Sequence, residues 1–348
     1  MATPGKESER FMERAVYAHL GAVRDAGVVR PGVGLDNGVV KLASGNVLIV
    51  TVDPVSAVPE LGMELSAWLS AHLIASDFTT SGRDPEHATF SYNFPQSMTE
   101  REREAFVASM GKACGDLGVA IVAGHTGSYP GGGFTVIGAG SMMAEAPADG
   151  FVTPAMAGEG DSIVVTKQAA IEAAGSLAMS FPNHVEEASG LPAKRRGRDL
   201  LAGCTTVPDA RSARKVGLGP GGVTSMHDAT EGGVLGALDE MAAASAKAFQ
   251  VEVDRIPVTT DVRAICHAFG LDPLETMGEG ALLITCGPDR VEELLRTLRR
   301  DGVSASEIGK VKRGKGLRLR SRSRVRGYVR RPDPYWLAYA KATASGLE

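Results

Sequence analysis

The stretch Met226-His-Asp-Ala-Thr-Glu-Gly-Gly233 places an acid, a hydroxyl and paired glycines directly before the helical pattern at residues 234–244. A loop that becomes a helix N-terminus offers unpaired N–H groups and the positive end of a helix dipole, which favours an anion such as phosphate. Asp228 could hold a cation beside that anion, because hard divalent ions prefer carboxylate oxygen. The structural alternative is that Asp228 or Thr230 caps the helix while Gly232 and Gly233 turn the chain. Asp36 precedes one strand pattern and Asp53 ends the next; acids at strand ends project over a sheet where α/β proteins bind ligands, or else they cap turns. Asp77 opens a loop rich in hydroxyls with Gly82, Arg83 and Pro85, a composition suited to phosphate and metal or to an Arg83–Asp84 ion pair. A further apolar strand runs into Gly124-His125-Thr126, where His125 is either a ligand, a proton donor or a loop histidine bonded to backbone.

The elements that must position these residues alternate between helix and strand. Helices are expected at residues 9–26 with Ser8 as N-cap, 61–76, 99–117, 169–181, 208–216, 231–248, 259–269 and 288–300. Strands are expected at 39–42, 46–52, 87–94, 119–123, 134–143, 162–166, 250–253, 281–286 and 305–312. Thr99 and Glu102 have capping-box spacing. Residues 124–133 and 271–280 read as loops, and an Ala-, Pro- and Gly-rich break at 144–160 divides the chain. The alternation predicts two α/β domains. The basic run Lys194-Arg-Arg-Gly-Arg198 reads as a solvated surface, or as a dock for an acidic partner. Residues 310–331 carry eleven basic side chains and no acid, which suits an exposed strand-and-turn surface or a tail closing over a phosphorylated ligand.

The totals bound these readings. A chain of 348 residues favours more than one core. A net charge of −4 makes no electrostatic case for nucleic acid. No apolar run reaches the roughly 18 residues of a membrane span, and residues 1–14 lack the apolar centre of a signal peptide. Four scattered cysteines without a Cys-x-x-Cys pair argue against a zinc or disulfide framework and for free thiols in a reducing cytoplasm.

The order of motifs resembles a superfamily that contains aminoimidazole ribonucleotide (AIR) synthase, formylglycinamidine ribonucleotide synthetase, thiamine-monophosphate kinase, selenophosphate synthetase and HypE. Asp77-Phe-Thr-Thr-Ser-Gly82-Arg83-Asp84-Pro85 is similar to its Asp-x4-Gly-Ala-x-Pro loop, with Arg83 in place of alanine. Gly124-His125-Thr126 stands where relatives carry Gly-Asp-Thr, and His227-Asp-Ala-Thr-Glu-Gly-Gly233 where HypE members carry Arg-Asp-Pro-Thr-Arg-Gly-Gly. The segment Leu271-Asp-Pro-Leu to Glu279-Gly280 is also HypE-like, and the match spans most of residues 30–312.

The resemblance implies an α/β (α+β), two-domain AIR synthase-like fold. Residues 1–150 would form an ATP- and Mg2+-binding and dimerisation domain, 151–335 a second α/β domain, and 336–348 a C-terminal tail. It implies a cytoplasmic homodimer whose N-terminal sheets meet. Asp36, Asp53 and Asp77 would hold metal, with Asn37 replacing the second of two paired acids. Gly82, Gly124, Thr126, Thr230, Gly232 and Gly233 would shape the nucleotide site. Asp228 would hold metal or orient the acceptor, and His125 would act as acid or base. The chemistry implied is transfer of a phosphoryl group from ATP to an amide or similar oxygen of an unidentified acceptor. The alternatives are a small-molecule kinase resembling thiamine-monophosphate kinase and a non-catalytic nucleotide-binding partner in a maturation complex. Two departures stand out: residues 342–348 lack the terminal cysteine of HypE, and residues 1–40 lack the cysteine of selenophosphate synthetase.

Overall fold

A computed structural model describes residues 4–22, 27–133, 135–322 and 324–347. The chain begins with α1 (Glu9–Phe11), capped by Ser8, whose Oγ accepts from Phe11 N at 3.3 Å. It then loosens into a wide turn at Met12–Val16 and a tight one at Tyr17–His19. The helix expected to reach residue 26 therefore stops early, and its last four positions lie outside the described residues. None of residues 9–19 is buried, so apolar spacing there had no core to select it.

The first half builds one sheet from β1 (Gly27–Val29), β2 (Gly38–Lys41), β3 (Val47–Ser56), β4 (His87–Pro95), β5 (Ala120–Tyr129) and β6 (Val136–Ala146). Its order is β1-β2-β3-β6-β4-β5, with only β4 and β5 parallel. Helices α2 (Met63–Thr79) and α3 (Glu100–Leu117) cover one face. Val47, Ile49 and Val55 of β3 point into that core with Ile74, Phe78 and Phe106, while Val52 between them is exposed, as a period of two requires. The capping box at α3 forms as expected: Thr99 Oγ1 accepts from Glu102 N at 3.3 Å, and Glu102 Oε2 accepts from Thr99 N at 2.7 Å.

Three expectations are corrected here. Asp53 does not end a strand but lies inside β3, opposite Gly140. Asp77 does not open a loop; it occupies the last turn of α2. Residues 124–129 continue β5, and the loop begins only beyond Tyr129. A Cβ at Gly124 would lie 2.8 Å from the Phe90 carbonyl oxygen, so that glycine permits close strand approach rather than marking a turn. Phe134, expected to start the next strand, lies outside the described residues.

The second half follows the same plan on a larger sheet. It runs β7 (Ser162–Thr166), α4 (Ile171–Ser180), α5 (Pro182–Ser189), α6 (Leu191–Ala202), α7 (Val207–Ala213), β8 (Val223–Asp228) and α8 (Gly233–Ser245). It continues with β9 (Ala248–Glu252), α9 (Thr260–Ala268), β10 (Leu282–Cys286), α10 (Val291–Arg300), β11 (Ala305–Lys312), β12 (Gly316–Ser321), β13 (Arg324–Gly327) and α11 (Tyr335–Ala344). The sheet order is β13-β12-β9-β11-β7-β10-β8, parallel only between β9 and β12. Helix–strand alternation thus gives two mixed, mostly antiparallel sheets.

The basic run at 194–198 lies on α6 and is partly paired, Lys194 with Glu186 at 2.6 Å and Arg196 with Asp261 at 3.0 Å. Of the expected C-terminal tail at 336–348, residue 348 lies outside the described residues. The others belong largely to α11, whose Tyr335 is buried and donates its Oη proton to Ser176 Oγ at 2.8 Å. Among the described residues no helix is long and apolar enough to cross a membrane.

Candidate functional site

The two halves meet where β8 ends and α8 begins. β8 is buried along its whole length and delivers His227 and Asp228 to the junction. Asp36, on the approach to β2, enters from the first half. Its Oδ2 lies 2.7 Å from His227 Nδ1, and Asp228 Oδ1 lies 3.9 Å from the same nitrogen. One ligand-capable atom from each of Asp36, His227 and Asp228 falls within 4.8 Å of the others. On its far side His227 Nε2 meets Glu240 Oε2 at 2.9 Å. Glu240 projects from α8, beside Asp239 on a mostly apolar helix, and is also paired with Arg330.

The electrostatics of this junction are lopsided. Burial raises the Asp228 carboxyl to about 7, with the Asp36 charge adding to it. Burial likewise lifts Asp53 to about 6; Lys6 works against that rise, while Asp36 and Glu231 reinforce it. Asp77 is pushed well above the usual carboxylate range by burial and then by Asp228, Asp53 and Asp36. It also sits at the carbonyl end of α2, where a helix already carries negative partial charge. His227 is also raised, but against burial: burial alone would lower it, and Asp36 and Glu240 raise it to about 10, so the imidazole is a cation at neutral pH.

The acids fit a hard divalent cation. Both carboxylate oxygens of Asp228 are buried with no hydrogen-bond partner, and so is Asn37 Oδ1. A buried charged oxygen left unpaired costs several kcal/mol (roughly 3–5), and a metal ion would offset that cost. Asn37 faces the same place, since its Nδ2 donates to the Asp77 carbonyl at 2.9 Å and to Thr80 Oγ1 at 3.0 Å. A cavity of about 690 Å3 opens at Asp36, while Asp53, Asp77 and Asp228 lie behind its wall and do not line it. Asp36, His227, Gly232, Glu240, Lys6 and Arg330 contribute to its wall.

The residues singled out from sequence distribute unevenly. Asp36 and Asp228 come into one cluster, and Asp53 and Asp77 are coupled to them through their charges. Thr230 Oγ1 accepts from Lys6 Nζ at 2.7 Å. Gly232 N, at the start of α8, donates to Asp333 Oδ2 at 2.6 Å, so the anion at this helix end is the chain's own carboxylate. Gly233 serves packing, since a Cβ there would lie 2.7 Å from the Thr276 carbonyl oxygen. Gly82, at φ +80°, makes room for Leu218, 2.6 Å from where a Cβ would stand.

Arg83 donates to the Gly150 carbonyl, and Asp84 pairs instead with Arg211 and Arg214 at 2.6 and 2.7 Å. Gly124, His125 and Thr126 lie on the exposed edge strand β5, where His125 Nε2 is 2.6 Å from Tyr129 Oη, and none of the three lines the cavity. Arg330 and Arg331 do line it, so one end of the basic segment reaches the site, while β12 buries Leu317 and Leu319 in the core and β13 is exposed along its length. Sequence reasoning missed Lys6, His227, Glu240 and Asp333. Glu240 had a partial signal, one of two adjacent acids, Asp239 and Glu240, within a mostly apolar helix; Lys6 had none.

Two mixed-sheet α/β halves closing on a cation-ready acidic junction define the class. Residues 34–142 match the family described as AIR synthase related protein, N-terminal domain, and residues 158–322 match its C-terminal domain. The chain belongs to the AIR synthase-related superfamily, which includes HypE. It is 27% identical over 249 residues to the carbamoyl dehydratase HypE of Escherichia coli K12, covering 70% of each chain. It is 26% identical over 253 residues to that of Rhizobium leguminosarum bv. viciae, covering 70% of this chain and 67% of the relative. A crystal structure of E. coli HypE, a hydrogenase maturation protein, superposes with a TM-score of 0.69 at 24% identity, covering 85% of this chain and 90% of that one. Thiamine monophosphate kinase from Aquifex aeolicus shares the fold at a TM-score of 0.63 and 19% identity, covering 83% and 91%.

Proposed function

We propose that the protein is an enzyme that binds ATP with Mg2+ at the junction of its halves and transfers a phosphoryl group to an oxygen of a small-molecule or protein-bound acceptor. The observation that carries this is Asp228. Its two buried oxygens lack partners, and it lies beside Asp36, with Asp53 and Asp77 near enough to act on these acids through their charges. Support comes from relatives of the same fold, one solved as HypE in complex with ATP and one as a thiamine-monophosphate kinase with AMPPCP and TMP.

In this reading Asp36, Asp77 and Asp228 would hold the ion, with Asp53 adding negative charge. Bound Mg2+ supplies neutralisation of phosphate charge as it shifts between donor and acceptor. The chain's own part is positioning: Asp36 is oriented by His227, and His227 in turn by Glu240. Arg330 places positive charge on the wall where phosphate oxygens would lie. A cysteine acceptor within this chain finds no support, because all four thiols are buried and burial raises Cys114 and Cys286 to about 11.

Calorimetry with ATP and Mg2+ tests the reading. Saturable binding that requires the metal is the expected result, and no heat at millimolar ATP would refute it. Binding without turnover of any acceptor would favour the non-catalytic partner instead. His227 and Lys6 give that reading its footing, since they already neutralise part of the acidic cluster.

We also infer a homodimer. The sheet face of the first half opposite α2 and α3 leaves Val52 67% and Val136 57% exposed, an apolar surface suited to a second copy. Light scattering should give twice the 36.3 kDa chain mass, and Val52→Glu should return it to one. A monomeric wild type would dismiss the dimer without touching the ATP site.

A further inference from the structure

The acids at the junction need positive charge, and the N-terminal segment brings one from far away in sequence. Lys6 Nζ donates to Thr230 Oγ1 at 2.7 Å and stands 3.8 Å from Glu240 Oε1. Its backbone N–H donates to Glu231 Oε2, which fastens the segment beside the cavity. Gly5 permits that path: its φ is +105°, and a Cβ would lie 2.6 Å from Glu231 Oε2 and 3.2 Å from Trp336 Cδ1. Burial tends to lower the Lys6 pKa, but Glu240, Asp36, Asp77 and Asp228 more than offset it and hold the ammonium protonated. Three of those four are the acids assigned above to the metal.

Lys6 is nevertheless easy to withdraw. Its side chain is 53% exposed, and residues 9–19 behind it bury nothing in a core. Moving the segment therefore breaks a few polar contacts and opens no apolar cavity. A divalent ion among Asp36, Asp77 and Asp228 would repel an ammonium held close by, and in this half-shielded setting the repulsion at about 4 Å is on the order of several kcal/mol.

We propose that Lys6 is a tethered stand-in for the divalent cation: it neutralises the acidic cluster in the metal-free protein, and the metal binds by driving Lys6 and its segment off the acids. This rests on the reading of those acids as the metal site. Lys6 is thus a competitor of the ion, so removing its charge should strengthen metal binding, an effect that a merely structural lysine would not produce.

The test uses Mn2+ alone, titrated into the full chain without nucleotide and followed by electron paramagnetic resonance. Lys6→Gln should bind Mn2+ about tenfold more tightly than wild type, equivalent to about 1.4 kcal/mol. Lys6→Arg should stay near wild type, and Asp228→Asn should lose the site. In wild type, Mn2+ should also speed tryptic cleavage after the exposed Arg10 and Arg14 as the segment lets go. Equal or weaker Mn2+ binding by Lys6→Gln would overturn the competition while leaving the metal site intact, as would cleavage indifferent to Mn2+. Absence of Mn2+ binding by both wild type and Lys6→Gln would overturn the metal site and this inference together.

Discussion

Without metal at pH 7.5, Asp77→Asn is expected to melt a few degrees above wild type while binding ATP–Mg2+ roughly a hundredfold more weakly, about 2.7 kcal/mol. The two effects share one cause. Asp77 is a carboxylate at the negative end of α2, close enough to Asp228, Asp53 and Asp36 that each raises its pKa. Removing its charge relieves repulsion in the empty protein and takes a ligand from the loaded one. The same physics fixes the pH dependence. Asp53 and Asp228 titrate near 6 and 7 in the folded chain, above the ordinary aspartate value of 3.8. A raised carboxylate pKa means the folded state holds its proton longer, so this contribution is complete below about 4 and is lost as pH rises through 6 and 7. Metal-free wild type should therefore lose melting temperature between about pH 5 and 7.5, and Mg2+ should restore more of it at the upper end. Differential scanning calorimetry at a series of pH values checks this. An Asp77→Asn protein that melts lower than wild type yet binds nucleotide normally would remove the acid from the site.

The second large effect belongs to His227. Its imidazolium is 1% exposed and lies between Asp36 at 2.7 Å and Glu240 at 2.9 Å. His227→Leu leaves two carboxylates facing an apolar side chain, and breaking a buried charged pair this way costs about 3–5 kcal/mol. Lys6 and Arg330 still serve Glu240, so the larger injury falls on Asp36. His227→Gln, which keeps hydrogen-bonding capacity without charge, should lose less. Because the folded-state pKa of His227 is near 10, its contribution is full below about 6.5 and disappears only as pH climbs toward 10. The gap between His227→Leu and wild type should accordingly narrow at about pH 10. Urea unfolding at pH 7.5 and 10 measures it, and a Leu variant within about 1 kcal/mol of wild type at both would show that the imidazolium supports nothing.

How much could be read beforehand follows from how local each feature is. The α3 capping box depends on two residues three apart, and it stood in plain view. The α8 junction was legible for the same reason, although its anion turned out to be Asp333 from far downstream. Gly124 misled because it serves contact instead of turning, letting β5 approach β4, whereas Gly82, at φ +80°, does turn the chain and also admits Leu218. β12 fits the strand-and-turn reading of residues 310–331, but it alternates Arg318 and Arg320 with Leu317 and Leu319, which are buried and not exposed. The AIR synthase-like two-domain fold followed from motif order, which composition alone would not have supplied. The pairing of His227 with Asp36 and Glu240 depends on three separate elements meeting, and no spacing in one stretch encodes that.

Glu231 carries a consequence for how the molecule is made. Its carboxylate takes the backbone N–H of Lys6 and, at 3.2 Å, the indole proton of Trp336. Both donors exist only once synthesis has passed Trp336, long after Lys6. Both sheets are therefore synthesised before this corner can close, and the same late stretch supplies α11, which packs Tyr339 and Ala342 into the core.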